Sequence, residues 1–175
     1  MAPRGKESAW ERNLPVVKFV VTFLALLIAF QWAYYALLVN SFAFKAYLGL
    51  NCRAAAALLG LVGEHVTATD DVLTSGFTMS VRAGCDGLQA MAILAIAVLV
   101  APGDLRRKLN AAAGGVLLLA ILNLVRLVSL FWTGVHAPGL FQAMHVHIWP
   151  AVLIVLAVLY AFASQTWAHR PEGAA

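Results

Sequence analysis

Residues 16–39 read VVKFVVTFLALLIAFQWAYYALLV, and this stretch decides the class of fold. It is apolar over a length that matches the roughly 20 residues of a transmembrane helix. It is longer than the apolar core of a signal peptide, and no small-x-small cleavage pattern follows it, so we expect a retained anchor. Cations precede the stretch or lie at its start, which predicts a cytoplasmic N-terminus. These cations are Arg4, Lys6, Arg12 and Lys18.

The composition of the whole chain excludes an ordinary soluble domain. Of 175 residues, 62% are hydrophobic and 11% are charged, and the mean hydropathy is +0.84. Soluble domains contain about 45–50% apolar and about 25% charged residues. The net charge of +4 is a modest surplus, which we interpret as a topology signal and not as the footprint of a nucleic-acid partner. The length suits a single membrane-embedded domain over residues 1–175.

Four apolar stretches predict four transmembrane helices, at residues 16–39, 88–101, 111–132 and 147–167. The second stretch is short, so we expect its helix to begin earlier, near Cys85. The sequence therefore predicts an all-α integral membrane protein with about four spans, and residues 1–15 form a cytoplasmic tail.

A fifth apolar stretch, residues 43–62, is predicted to lie on the membrane surface. A charged group in the middle of a span costs roughly 2.5–3.5 kcal/mol on insertion scales. If this stretch does not span, most lysines and arginines lie on the cytoplasmic side, whereas a fifth span would divide them evenly. Because positive residues prefer the cytoplasmic side, we interpret the stretch as an amphipathic helix on the outer face. The polar residues that interrupt it are Lys45, Asn51, Cys52 and Arg53.

Residues 64–83, EHVTATDDVLTSGFTMSVRA, predict a short extracytoplasmic β-hairpin. Thr and Val alternate on both sides of Asp70-Asp71 and of Ser75-Gly76, and these pairs are typical of turns. Residues 43–83 would therefore cover the outer face of the membrane, directly before Cys85.

Three reactive or charged side chains come from three different predicted spans at a similar depth on the outer side. Cys85 lies at the outer end of the second span, and His145 lies at the outer start of the fourth. Arg126 lies ~10 Å inside the third span, at 1.5 Å per residue. A thiolate is a nucleophile, a histidine can take its proton and return it to a leaving amine, and a guanidinium can stabilise an oxyanion. The set is suited to acyl transfer from a peptide carbonyl.

Other interpretations of these residues stay open. Arg126 requires a partner or a wet cavity, and Asn123 and Ser129, three residues away on either side, could satisfy its donors. A non-catalytic membrane scaffold or lipid-binding subunit would use Arg126 to anchor a phosphate. A haem-binding electron carrier would use His145 or His147 as an axial ligand. The two cysteines lack the spacing of a zinc site or a redox motif, so we expect no metal and no other cofactor.

Three motifs in order resemble those of the exosortase/archaeosortase family. The segment AGCDGL at residues 83–88 resembles the family's Cys-Ser-Gly-Leu motif, with Asp86 in place of the serine. The segment NLVRL at residues 123–127 resembles its Asn-x-x-Arg motif. Residues 141–149 resemble its His-x-x-x-Gly motif, with Trp149 in place of the glycine. The resemblance covers residues 60–165, and the short length is most similar to the compact exosortase H branch.

The resemblance implies a membrane-embedded cysteine protease or transpeptidase that needs no cofactor. Its partners would be secreted proteins with a C-terminal sorting tail (PEP-CTERM-like), made of a short motif, a transmembrane helix and a basic cluster, together with the lipid bilayer and an unknown acceptor. The active site would face outward from the inner cell membrane, on catalytic helices within residues 85–167. By motif match, Cys85 is the nucleophile, Arg126 stabilises the transition state and His145 is the acid/base, with His147 as the alternative. We further expect substrate-binding or supporting roles for Asn123, Gln89, His147 and Trp149.

Overall fold

The computed structural model describes residues 9–168, which form six α-helices, two π-helical turns and a small three-stranded sheet. Residues 1–8 of the predicted cytoplasmic tail lie outside the described residues, as does Arg170. The described part of the tail is already helical. The elements are α1 (Ala9–Ala33), a π-helical turn (Tyr34–Leu38), α2 (Phe42–Leu61), β1 (Thr67–Thr69), β2 (Val72–Thr74), β3 (Thr78–Ser80), α3 (Leu88–Val100), α4 (Leu105–His136), α5 (Pro138–Ala143), a second π-helical turn (Met144–Ile148) and α6 (Trp149–Ala168).

Among the described residues, three helical segments are long and apolar enough to cross a membrane: Asn13–Leu38, Leu105–His136 and Pro138–Gln165. The first leaves large apolar side chains such as Ile28 and Trp32 uncovered by the rest of the chain. Such a surface suits lipid better than water. The structure therefore supports an all-α membrane protein.

The second predicted span, α3, is shorter than the other three. Its 13 residues extend ~20 Å at 1.5 Å per residue, against the ~30 Å of a hydrocarbon core. The helix is almost wholly apolar and packs against α1, α4 and α6, so it occupies the centre of the bundle. The count of four spans stays a prediction.

A helix is present where the surface helix at residues 43–62 was predicted: α2 begins and ends one residue earlier. Its position on the membrane surface stays a prediction. Ser41 caps α2, because the Ser41 hydroxyl accepts a hydrogen bond from the amide of Phe44. One stripe of the helix packs against the sheet and α4, while Lys45 and Arg53 are exposed. The buried stripe consists of Phe44, Leu48, Gly49, Cys52, Ala55 and Leu59.

Residues 64–83 form a three-stranded antiparallel sheet in the order β1-β2-β3, so the prediction of a single hairpin is too simple. Both predicted turn pairs lie between strands, at Asp70-Asp71 and after Thr74. Each turn reverses the chain, so the segment holds two hairpins that share β2. Asp70 takes the left-handed conformation, with φ of 51°, that a tight turn requires. The strand β3 forms one edge of this sheet.

The third and fourth spans begin earlier than predicted. Helix α4 begins at Leu105, where the Asp104 carboxylate accepts a hydrogen bond from the Arg107 amide at 3.1 Å. The last helical segment begins at Pro138, in the first turn where proline is tolerated. His145 therefore lies inside a helical segment, in a π-helical turn, and not at a helix start.

Candidate active site

Cys85 lies in a tight turn between the sheet and α3, so the predicted start of that helix near Cys85 is wrong. Glycines on both sides of the cysteine have positive φ, 88° at Gly84 and 82° at Gly87, which interrupts helical geometry before Leu88. A Cβ on Gly87 would also lie 2.7 Å from Cγ of Asn123. The turn therefore requires glycine there, and it leaves the thiol half-buried at the helix N-terminus.

Asp86 is fully buried, and its carboxylate holds the turn together. One oxygen accepts a hydrogen bond from the Leu88 amide at 2.7 Å, which satisfies the first amide of α3. The other accepts from the Gly84 amide at 3.0 Å and from the hydroxyl of Tyr34. These bonds direct the carboxylate into the protein and toward α1, so the residue following the cysteine acts as a structural anchor.

The backbone carbonyl of Asp86 is held as well. It accepts hydrogen bonds from the Tyr47 hydroxyl at 2.8 Å and from Nδ2 of Asn123 at 3.0 Å. Side chains following α1, in α2 and in α4 therefore converge on one residue of the turn. Sequence reasoning found Asn123 through its motif but missed Tyr34 and Tyr47. A polar hydroxyl inside an otherwise apolar run was the available signal for Tyr34.

The structure brings Cys85, Arg126 and His145 together. Nε2 of His145 lies 3.7 Å from Sγ of Cys85, and a terminal guanidinium nitrogen of Arg126 lies 3.7 Å from the same sulfur. Both distances are within the range of a hydrogen bond to sulfur. The arrangement places an imidazole nitrogen and a fixed cation next to one thiol, and such groups can activate a cysteine nucleophile.

Arg126 is 6% exposed and forms no ion pair with a carboxylate of residues 9–168. Its two polar neighbours do not satisfy its donors: Ser129 donates to the Arg126 carbonyl, and Asn123 donates to Asp86. Its Nε is buried with no hydrogen-bond partner in the described part of the chain. A buried cation in this state has unused capacity for an anion.

The two histidines of the second π-helical turn have different surroundings. His145 is stacked on Phe141, with ring centroids 5.7 Å apart and planes within 6° of parallel, and it faces Cys85. His147 is exposed two residues later. Such turns occur often at functional sites, because the extra residue re-aims a side chain. The geometry favours His145 over His147 as a partner of the thiol. Nδ1 of His145 is buried and has no partner among the described residues.

A cleft of about 340 Å³ opens beside the thiol. One wall is the strand β3 with its flanking residues, and the opposite wall comes from α4 and α5. Cys85 and His145 both contribute to it, so both side chains are reachable from the cleft. The lining residues are Phe77, Thr78, Met79, Ser80, Val81, Arg82, Cys85, Leu127, Leu130, Phe141 and His145.

Two further residues predicted for the site, Gln89 and Trp149, do not contribute to the cleft. Nε2 of Gln89 donates to the Tyr35 hydroxyl at 3.0 Å and to Gln31 at 3.4 Å, so it joins α3 to the first helical segment. Trp149 is buried in the core, and its indole nitrogen has no partner among the described residues.

The described residues contain no group of three or more His, Cys, Asp or Glu side chains placed to hold a metal ion. Comparison with known proteins yields no matching family model, no matching curated protein and no matching solved structure.

Proposed function

We propose that this protein is a membrane-embedded cysteine peptidase or transpeptidase of the exosortase type, which cleaves C-terminal sorting tails of secreted proteins. The observation that carries the proposal is the position of the Cys85 sulfur, 3.7 Å from both a histidine nitrogen and a buried guanidinium. The three motif resemblances in the sequence point to the same residues. A peptide carbonyl is the electrophile that this set suits.

In the first step, Nε2 of His145 takes the thiol proton and Sγ of Cys85 attacks the scissile carbonyl carbon. The carbonyl oxygen becomes an oxyanion beside the Arg126 guanidinium. The tetrahedral intermediate collapses, the C–N bond breaks, and the departing amine takes the proton from His145. The products are a thioester on Cys85 and the released tail. Water or an acceptor amine then attacks the thioester, and the thiol is regenerated.

Arg126 suits the role of oxyanion stabiliser because it is already desolvated and always charged. A pre-oriented cation in a water-poor site stabilises developing charge without reorganisation during the reaction. Its planar fork also fixes the direction of that stabilisation, which a lysine ammonium does not.

The topology that accompanies this function has four spans in the inner cell membrane. The cationic start of α4, at residues 106–108, lies on the cytoplasmic side with the N-terminus. The sheet, α2 and the Cys85 turn lie on the extracytoplasmic side, where a secreted protein presents its tail. The tail's transmembrane helix enters from the bilayer, and an acceptor approaches from outside.

The test is co-expression with a secreted protein of the same genome that carries such a tail, followed by intact mass. The wild-type chain is expected to remove the tail, Cys85→Ala to leave it intact, and Cys52→Ala, the matched control, to process normally. Hydrolysis leaves a free carboxylate on the product, whereas transfer adds the mass of the acceptor. Processing by Cys85→Ala at the wild-type rate overturns the proposal.

A lipid-binding scaffold is the second candidate, because the buried Arg126 has no anionic partner in the described chain and could hold a phosphate headgroup. In that case no tail is removed by the wild type, no enzyme–tail complex forms with Cys85→Ala, and Cys85→Ala retains the scaffold's function.

A further inference from the structure

We infer that the substrate binds in an extended conformation as an additional strand on the free edge of β3, which leads its backbone along the cleft to Cys85. This inference rests on the proposed function, since it needs a peptide substrate.

The hydrogen bonds of the sheet show which groups of β3 are free. The Val81 amide donates to Asp71 at 2.8 Å, and the Phe77 carbonyl accepts from Ser75 at 3.0 Å. In an antiparallel pair, alternate residues direct both backbone groups to the same side. Phe77, Met79 and Val81 therefore face β2. The amides and carbonyls of Thr78 and Ser80 face the opposite way.

That opposite side is the cleft. β3 is the edge strand of the described sheet, and Thr78 and Ser80 both line the cleft that Cys85 and His145 also line. The other edge strand, β1, packs beside α2 and lies away from the cleft. The free edge is therefore continuous with the reacting thiol, and only four residues of chain separate Ser80 from Cys85.

An extended peptide is the occupant that complements this edge. Donors and acceptors that alternate along a strand match the backbone of another strand, and strand addition to an exposed edge is a general mode of peptide recognition. A lipid chain would leave these groups without partners. The opposite wall offers the apolar side chains of Leu127, Leu130 and Phe141, which can receive an apolar residue of the added strand.

The test uses the wild-type chain and synthetic tail peptides that carry a single backbone N-methyl group at successive positions near the cleavage site. Methylation removes one donor and blocks strand pairing at that residue. We expect kcat/KM to fall about five- to hundredfold at alternate positions and to change little at the positions between. A pattern without this period of two overturns the inference.

A second test acts on the protein. Ser80→Pro removes the amide that faces the cleft, and proline is tolerated at such a position of an edge strand. Ser80→Ala is the matched control, because it loses the same hydroxyl contact with Asp71 but keeps the amide. We expect the KM of Ser80→Pro to exceed that of Ser80→Ala about five- to hundredfold.

The outcomes separate the two proposals. Cys85-dependent cleavage with equal KM for Ser80→Pro and Ser80→Ala, in protein that melts like the wild type, overturns strand addition and leaves the proposed function standing. If Ser80→Pro does not fold, the N-methyl series decides on the wild-type protein. If the unmethylated peptide is not cleaved at all, the proposed function fails and the inference fails with it.

Discussion

Nε2 of His145 lies 3.7 Å from Sγ of Cys85, although 60 residues separate the two in sequence. The histidine reaches the thiol from a π-helical turn, and the cysteine meets it from a glycine-flanked turn before α3. The two residues belong to different structural elements. The distance between their side chains therefore depends on how these elements pack in the whole bundle, and the contribution of each residue can be tested by substitution.

The role of the histidine is tested by replacing each of the two histidines of the second π-helical turn with glutamine. In the proposed mechanism His145 takes the thiol proton, so we expect His145→Gln to lower kcat about 10²–10⁴-fold. His147→Gln alters an exposed side chain of the same turn, and we expect kcat within about twofold of the wild type. Tail removal followed by mass at fixed times measures both. The reverse ranking would make His147 the acid/base.

The role of the Arg126 guanidinium is tested by Arg126→Lys. The substitution keeps the charge but replaces a planar fork with a single ammonium, so we expect kcat to fall about 10²–10³-fold with a smaller change in KM. Retained alkylation of Cys85 in the variant checks that the turn is intact. A scaffold that binds phosphate through Arg126 would instead keep much of its affinity for anionic vesicles in the lysine variant.

The sequence predicted the helical class and the convergence of Cys85, Arg126 and His145, because hydropathy and the order of the apolar stretches are visible along the chain. It predicted α2 within one residue for the same reason. It did not predict the three-stranded sheet, because two turn pairs five residues apart can join either two strands or three. Their pairing depends on the tertiary surface beneath them.

The sequence also could not predict the local backbone conformation or the side-chain orientation of the site residues. A π-helical turn leaves no periodic signal over five residues, so His145 was expected at a helix start. The orientation of the Asp86 carboxylate depends on Tyr34, 52 residues earlier, which supplies its partner only after the helices pack. The types of these residues and their positions along the predicted spans could be predicted from the sequence. The orientation of their side chains could not, because it depends on how the helices pack.

The anchor of the Cys85 turn predicts a difference between two adjacent tyrosines. Tyr34 is buried and donates to the Asp86 carboxylate, whereas Tyr35 is 54% exposed. Tyr34→Phe leaves a buried carboxylate short of one donor and is expected to lower the free energy of unfolding by about 1.5–3 kcal/mol. Tyr35→Phe is expected to change it by less than about 0.5 kcal/mol. Unfolding in mixed detergent micelles measures both, and equal effects would remove Tyr34 from the anchor.

The two cysteines should differ in reactivity toward a thiol reagent. Cys52 is 0% exposed, as expected for a packing residue, and burial followed by the nearby Asp71 carboxylate raises its pKa to about 11. At pH 8 about one in a thousand such thiols is ionised, and the fraction grows as pH rises toward 11. Cys85 is half-buried and opens into the cleft.

We therefore expect N-ethylmaleimide at pH 8 to add one adduct to the folded wild type and to Cys52→Ala, and none to Cys85→Ala over the same time. Unfolding the protein first should expose both thiols and give two adducts in the wild type. Rapid labelling of folded Cys85→Ala would show that Cys52 is accessible and that the packing of α2 on the sheet is wrong. If Cys52→Ala is not labelled, the thiol of Cys85 is not accessible from the cleft. The proposed attack on a peptide carbonyl requires that access.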